Sequence, residues 1–169
     1  MTGEIVNRVQ NSALVTFDLE EFYVPGERVF FDVKPFLFQE LILKEKDFRD
    51  KLKTMDWSIY AGKHIAIGCT ADAIIPTWAF MLLALALKPY AKTIVFGDLD
   101  DLEKQIFKNS IASINWEKYA SAKVVVKGCS KIKIPTEIFI DVTVRLNNVA
   151  ASIMYGEACS TVPLFKRTK

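Results

Sequence analysis

The chain has one histidine, His64, and three cysteines in 169 residues. A nucleophilic thiol therefore has few bases to draw on. An odd cysteine count fits a disulfide framework poorly, and no Cys-x-x-Cys pair occurs. Neither Gly-x-Gly-x-x-Gly nor a phosphate loop is present, which leaves dinucleotide and nucleoside triphosphate binding without support. The most apolar run, Ile74 to Leu87, is about 14 residues long, against about 20 for a membrane span, and reads as a buried helix. The opening Met1-Thr-Gly-Glu-Ile-Val-Asn-Arg lacks a basic-then-apolar signal pattern. Net charge is +2 with the basic residues spread out, which argues against a nucleic-acid surface. The basic end, Lys166-Arg-Thr-Lys169, reads as a solvated tail. These absences predict a cytoplasmic protein with reduced thiols and no nucleic-acid or membrane partner. They leave homo-oligomerisation open.

What is present is an ordinary globular balance, 51% apolar and 25% charged. The length suits a single domain spanning 1–169 with a real core. Within it, residues 57–98 and 116–157 read as one β-α-β unit written twice. Trp57-Ser-Ile-Tyr60-Ala61 is echoed by Trp116-Glu-Lys-Tyr119-Ala120, Gly68-Cys69-Thr70 by Gly128-Cys129-Ser130, and Ile75-Pro76-Thr77 by Ile134-Pro135-Thr136. Both copies close on Gly-acid, Gly97-Asp98 and Gly156-Glu157, each 40 positions after the tryptophan. A one-residue shift before Cys129 is undone before Pro135.

Taken in order, Ala13 to Leu19 and Arg28 to Val33 flank the turn signal Pro25-Gly26 and predict an N-terminal hairpin. Phe36 to about Thr54 has helical periodicity, with Phe38, Leu41, Ile42, Phe48 and Leu52 on one face. Strands are expected at His64–Gly68, Thr93–Phe96, Lys123–Lys127 and Ser152–Tyr155. Helices are expected from Pro76 to Leu87, Asp98 to Ser113 and Pro135 to Asn147. The first of these is apolar all round and should be sandwiched. Ser160 to Lys166 reads as an edge strand or a packed tail. The alternation predicts an α/β fold, a mostly parallel sheet with helices on both faces. Pseudo-twofold symmetry would place the strands ending at Cys69 and Cys129 side by side, a topological switch point where ligands bind.

On that topology the carboxyl rim gathers Cys69, Cys129 and Cys159 with Asp98 and Glu157. Three readings follow. Three thiolates, completed by Asp98, Glu157, Asp72 or an exogenous ligand, suit zinc, or an iron–sulfur cluster with one open iron. Cys69 or Cys129 could instead act as a nucleophile, although His64 begins the strand whose far end carries Cys69. Or the cysteines are small buried hydrophobes. Thr70, Ser130 and Ser160 could cap helices or contact an anionic ligand, and Asp98 and Glu157 could cap or act as acid–base groups.

Three further pieces resemble a known family: Cys69-Thr-Ala-Asp-Ala-Ile-Ile-Pro-Thr-Trp-Ala-Phe-Met-Leu-Leu83, Gly128-Cys-Ser130 and Gly156-Glu-Ala-Cys-Ser-Thr-Val-Pro163. With Phe48-Arg49-Asp50 before Asp56-Trp57, they are similar to an uncharacterised bacterial family of domains of unknown function. The resemblance spans nearly the whole chain. It implies a small stand-alone cytoplasmic protein and brings no activity. The expected function is therefore a metal- or small-ligand-binding α/β protein using a three-cysteine site. Its alternatives are a non-enzymatic binding or scaffold protein and a thiol-dependent enzyme.

Overall fold

Two phenylalanines, Phe17 and Phe31, decide where the first two strands go. The computed structural model describes residues 14–128, 131–157 and 159–168. In it β1 (Leu14–Asp18) and β2 (Arg28–Asp32) do not pair as the expected hairpin. β1 runs parallel to β5 (Lys123–Lys127), and β2 parallel to β3 (His64–Gly68). Phe17 stacks on Trp116 with centroids 5.6 Å apart, and Phe31 on Trp57 at 5.9 Å. Such stacking adds about 0.5–1.5 kcal/mol to the gain from area burial. Pairing β1 with β2 would forfeit both stacks.

Two compact units result, Val24–Ile106 and the described parts of Met1–Tyr23 with Phe107–Lys169. The first holds a parallel sheet of order β2-β3-β4, with β4 at Thr93–Phe96. The second holds a mixed sheet of order β1-β5-β6-β7, in which β6 (Ser152–Glu157) is parallel to β5 and β7 (Ser160–Lys166) antiparallel to β6. β3 and β5 thus belong to different sheets, and the expected central pairing of those two strands does not form.

In the Val24–Ile106 unit β3 is buried along its length. Its Ile65 and Ile67 pack with Phe48 of α1 (Glu45–Thr54) and Ala79, Leu83 and Leu87 of α2 (Thr77–Leu87). Its Ala66 packs with Leu102 and Ile106 of α3 (Leu99–Ile111). Helices therefore cover both faces of this sheet. In the other unit Val124 and Val126 pack with Phe107 and Ile111 and with Ile138, Val142 and Leu146 of α4 (Thr136–Val149). α4 is rich in β-branched residues, yet their spacing puts Ile138 and Val142 on one buried face, and tertiary packing overrides their propensity.

Two helical expectations change. α1 begins at Glu45, not near Phe36. Gln39 and Glu40 have φ of 52° and 58°, left-handed values that no α-helix accommodates. Phe38 N donates to Ile42 O at 2.7 Å and closes a small loop, leaving Phe38, Leu41 and Ile42 exposed. α2 is not sandwiched: opposite its buried face, Met81 is 63% and Leu85 70% exposed.

The two units share local geometry in detail. Asp56 and Asn115 each accept from the backbone N–H two residues on and cap a 3-10 turn, Trp57–Tyr60 and Trp116–Tyr119. Gly62 (φ 74°) and Ser121 (φ 57°) occupy the same left-handed position after it. Buried Ala79, Leu83 and Leu87 correspond to buried Ile138, Val142 and Leu146 at an offset of 59. The correspondence also reaches upstream. Phe17-Asp-Leu-Glu-Glu-Phe22 and Phe31-Asp-Val-Lys-Pro-Phe36 each close a strand, turn at an aspartate that accepts from the backbone N–H two residues on, and stack their two phenylalanines at 5.2 and 5.8 Å. β3 and β5 match at the constant offset, so Cys69 corresponds to Gly128 without any shift.

His64 opens β3 and is 2% exposed, with Nδ1 2.9 Å from Thr93 Oγ1 and Nε2 3.4 Å from the Pro25 carbonyl. Burial holds its pKa below the usual 6.5, although the Pro25 carbonyl pulls the other way. The fold therefore favours neutral imidazole, while the unfolded chain takes up a proton as pH falls through about 6.5. This stabilisation is complete above that pH and is lost below it. Thermal melts from about pH 7.5 to 5 should show a declining midpoint, and His64→Asn should flatten that decline. In urea titrations Leu83→Ala should cost about 2–5 kcal/mol. Leu85→Ala, two residues on and on the opposite, open face, should stay within about 0.5 kcal/mol of the parent.

Candidate functional site

The carboxyl rim of the Val24–Ile106 sheet is built by three strand ends. β2 ends on Asp32, β3 continues into Cys69-Thr70, and β4 into Gly97-Asp98. Asp32 is the organiser. Its Oδ1 accepts from Thr70 N at 3.0 Å and Lys34 N at 2.9 Å, and its Oδ2 accepts from the Thr70 hydroxyl at 2.5 Å. Burial pushes the Asp32 carboxyl up, but the Thr70 hydroxyl, the two backbone N–H groups and the nearby Lys34 charge together hold it below the usual value. The proton of Thr70 is thus committed to Asp32, and Thr70 ties β2 to the β3 exit.

Asp98 serves α3. Its Oδ1 accepts from Asp101 N at 2.9 Å, and its own N–H donates to Asp101 Oδ2 at 3.3 Å, a reciprocal cap. Gly97 has φ 132°, and a Cβ there would run into the Asp101 carboxylate, so the turn requires glycine. Between these exits lies a cavity of about 420 Å³ lined by Cys69, Asp98 and the rings of Phe30, Phe80 and Phe96. Phe80 and Phe96 meet edge to face at 4.9 Å.

The rim of the other unit is ionic. Lys127 Nζ lies 3.4 Å from Asp18 Oδ2 and 3.7 Å from Glu157 Oε2. Glu157 pairs with Ser160 across the β6–β7 turn, and Cys159 is exposed within it. Gly156 (φ 121°) repeats the glycine requirement of Gly97. Cys129 and Ser130 lie outside the described residues.

Of the predicted residues, the Val24–Ile106 unit brings together Cys69, Thr70 and Asp98, and the other brings together Glu157, Cys159 and Ser160. Among the described residues no group of three or more histidine, cysteine, aspartate and glutamate side chains is placed to hold a metal. No helix among them is long and apolar enough to cross a membrane. Sequence reasoning missed Asp32. The signal was there in the repeated Phe-Asp-aliphatic-x-x-Phe hexapeptide, hidden by reading both copies as arms of one hairpin.

A carboxyl whose folded pKa is depressed contributes stability that is full above its unfolded value and is lost as pH falls through the folded one. Asp32→Asn should therefore lower stability by about 1–3 kcal/mol at pH 7 and soften the acid limb of the unfolding curve below about pH 4, read by circular dichroism. Thr70→Ser, which keeps the hydroxyl, should be nearly silent, whereas Thr70→Val should reproduce part of the Asp32→Asn loss.

No curated protein and no solved structure matches the chain. The profile of one family, described as a protein of unknown function (DUF2480), matches residues 3–167, and the chain belongs to that family.

Proposed function

We propose that this chain is a non-enzymatic binding protein, built from two copies of one β-α-β unit, each presenting an apolar helix-and-strand face to a partner. The observation that carries this reading is that the same face is open twice. Met81, Leu85 and Phe96 are 63%, 70% and 71% exposed, and their counterparts Ile140, Val144 and Tyr155 are 57%, 61% and 44% exposed. Single exposed apolar residues are common, but clusters recurring at corresponding positions mark interfaces. Leu164 joins the second of these faces, and Phe38, Leu41, Ile42 and Val162 are also exposed. On this reading Cys69 packs, and Cys159 is a surface thiol.

The cavity beside Cys69 and Asp98 favours a second reading, a small-molecule site whose three phenylalanine rings would take a flat apolar ligand. Zinc or an iron–sulfur cluster on Cys69, Cys129 and Cys159, assisted by Asp98 or Glu157, belongs to this second reading. It requires the thiols to converge by a route other than neighbouring strands.

A photo-crosslinking residue placed in cells at position 85 or 144, with position 108 as a polar control, tests the first reading. One discrete protein captured at 85 and 144 but not at 108 is expected. Absence of any discrete product at both apolar positions would sink it. About one zinc, or several irons with sulfide, per chain purified without a His tag and without air would favour the second.

A further inference from the structure

We infer that the outer edge of β4 is a docking site for an extended segment of a partner protein, added antiparallel to β4, apolar and carrying acidic residues. The inference rests on the binding-protein reading and specifies what one of the two faces takes.

In the other unit the corresponding edge is already occupied. β7 lies antiparallel to β6, pairing Phe165 with Ile153 and Lys166 with Ser152. Phe165 packs against the buried core there. Beyond it Arg167 N donates to Ala151 O at 2.8 Å, and its guanidinium donates to Asn147 O at 2.8 Å and Ala150 O at 3.3 Å. One strand and its following residue thus cover the space between β6 and the end of α4.

At an offset of 59, Ile153, Ala151, Ala150 and Asn147 become Ile94, Lys92, Ala91 and Lys88. Those four residues, with Met81 and Leu85, line an open groove of about 550 Å³ between β4 and the end of α2. Among the described residues no strand pairs with the outer edge of β4. A free edge beside an apolar groove is the arrangement that accepts an added strand.

The charge at the groove selects the occupant. Where β6 and α4 have Ala151 and Asn147, the groove has Lys92 and Lys88, both exposed and without an ion pair among the described residues. The Lys166-Arg167 end that closes the first site would meet two like charges here. A second copy docking through the same face would bring four lysines together. An acidic residue placed after the apolar anchor, where Arg167 stands in the filled site, meets both lysines with opposite charge.

Two synthetic octapeptides test this. One has the sequence of residues 160–167, and the other carries Glu in place of both Lys166 and Arg167. With the intact protein, the acidic peptide should bind by fluorescence anisotropy, more weakly as salt is raised. It should slow amide exchange at Thr93–Phe96 and leave Ser152–Tyr155 unchanged. The Lys88→Glu/Lys92→Glu variant, folded by circular dichroism, should bind it at least about tenfold more weakly and should bind the basic peptide instead. No protection of β4 at millimolar peptide, or equal binding by parent and variant, overturns the inference. Protection of β4 that rises with protein concentration and no peptide assigns the edge to a second copy and also overturns it. Either failure with crosslinks at 85 and 144 intact removes the strand and leaves the binding-protein reading standing. Loss of those crosslinks as well removes both.

Discussion

Ring stacking between a strand phenylalanine and the tryptophan of a later turn is the constraint on which this molecule depends. Phe31 is held by Trp57, Tyr60 and Phe36, and Phe17 by Trp116, Tyr119 and Phe22, with centroid separations between 5.2 and 5.9 Å. A five-residue strand makes few ladder bonds and chooses its partner weakly by itself. The rings supply the choice. Each stack also brings the aspartate that follows the phenylalanine to the carboxyl end of its own sheet, so the packing beneath the sheet determines what stands on the rim.

The two rims differ in chemistry. Asp32 spends its carboxylate on the backbone and hydroxyl of Thr70, which leaves a cavity flanked by apolar rings. Asp18 stands beside Lys127, which also approaches Glu157, and the rim there is charged. Gly97 and Gly156 both have positive φ, 132° and 121°. The units differ both in the core, where buried Ala79 and Leu83 stand against Ile138 and Val142, and at the sheet edge. One unit closes its last parallel strand with β7, and among the described residues no strand pairs with the corresponding edge of β4 in the other.

Much of this was legible in the residues. The helices expected from Asp98 to Ser113 and from Pro135 to Asn147 are α3 and α4, the second in spite of its β-branched residues. The start of α1 was not legible, because left-handed Gln39 and Glu40 carry no glycine to mark them. Nor was the division into two sheets. A repeated β-α-β pattern states what each half looks like but not whether the halves hydrogen-bond to one another, and β3 and β5 do not. For the candidate site, the positions of Asp98 and Glu157 at strand ends could be read directly. The pairing of Asp32 with Thr70 joins residues 38 positions apart, and no local pattern announces it.

The connectivity has a consequence for biogenesis. One unit is continuous, Val24–Ile106, while the other draws β1 from before it and the remaining strands from after it. As the polypeptide leaves the ribosome, the uninterrupted unit has all its parts while β1 still waits for β5. Until the later residues emerge, Phe17 lacks its stacking partner Trp116. The nascent chain therefore carries β1 unpaired while the roughly 100 residues from Phe17 to Trp116 are made, an interval in which an unpaired strand is open to misassembly.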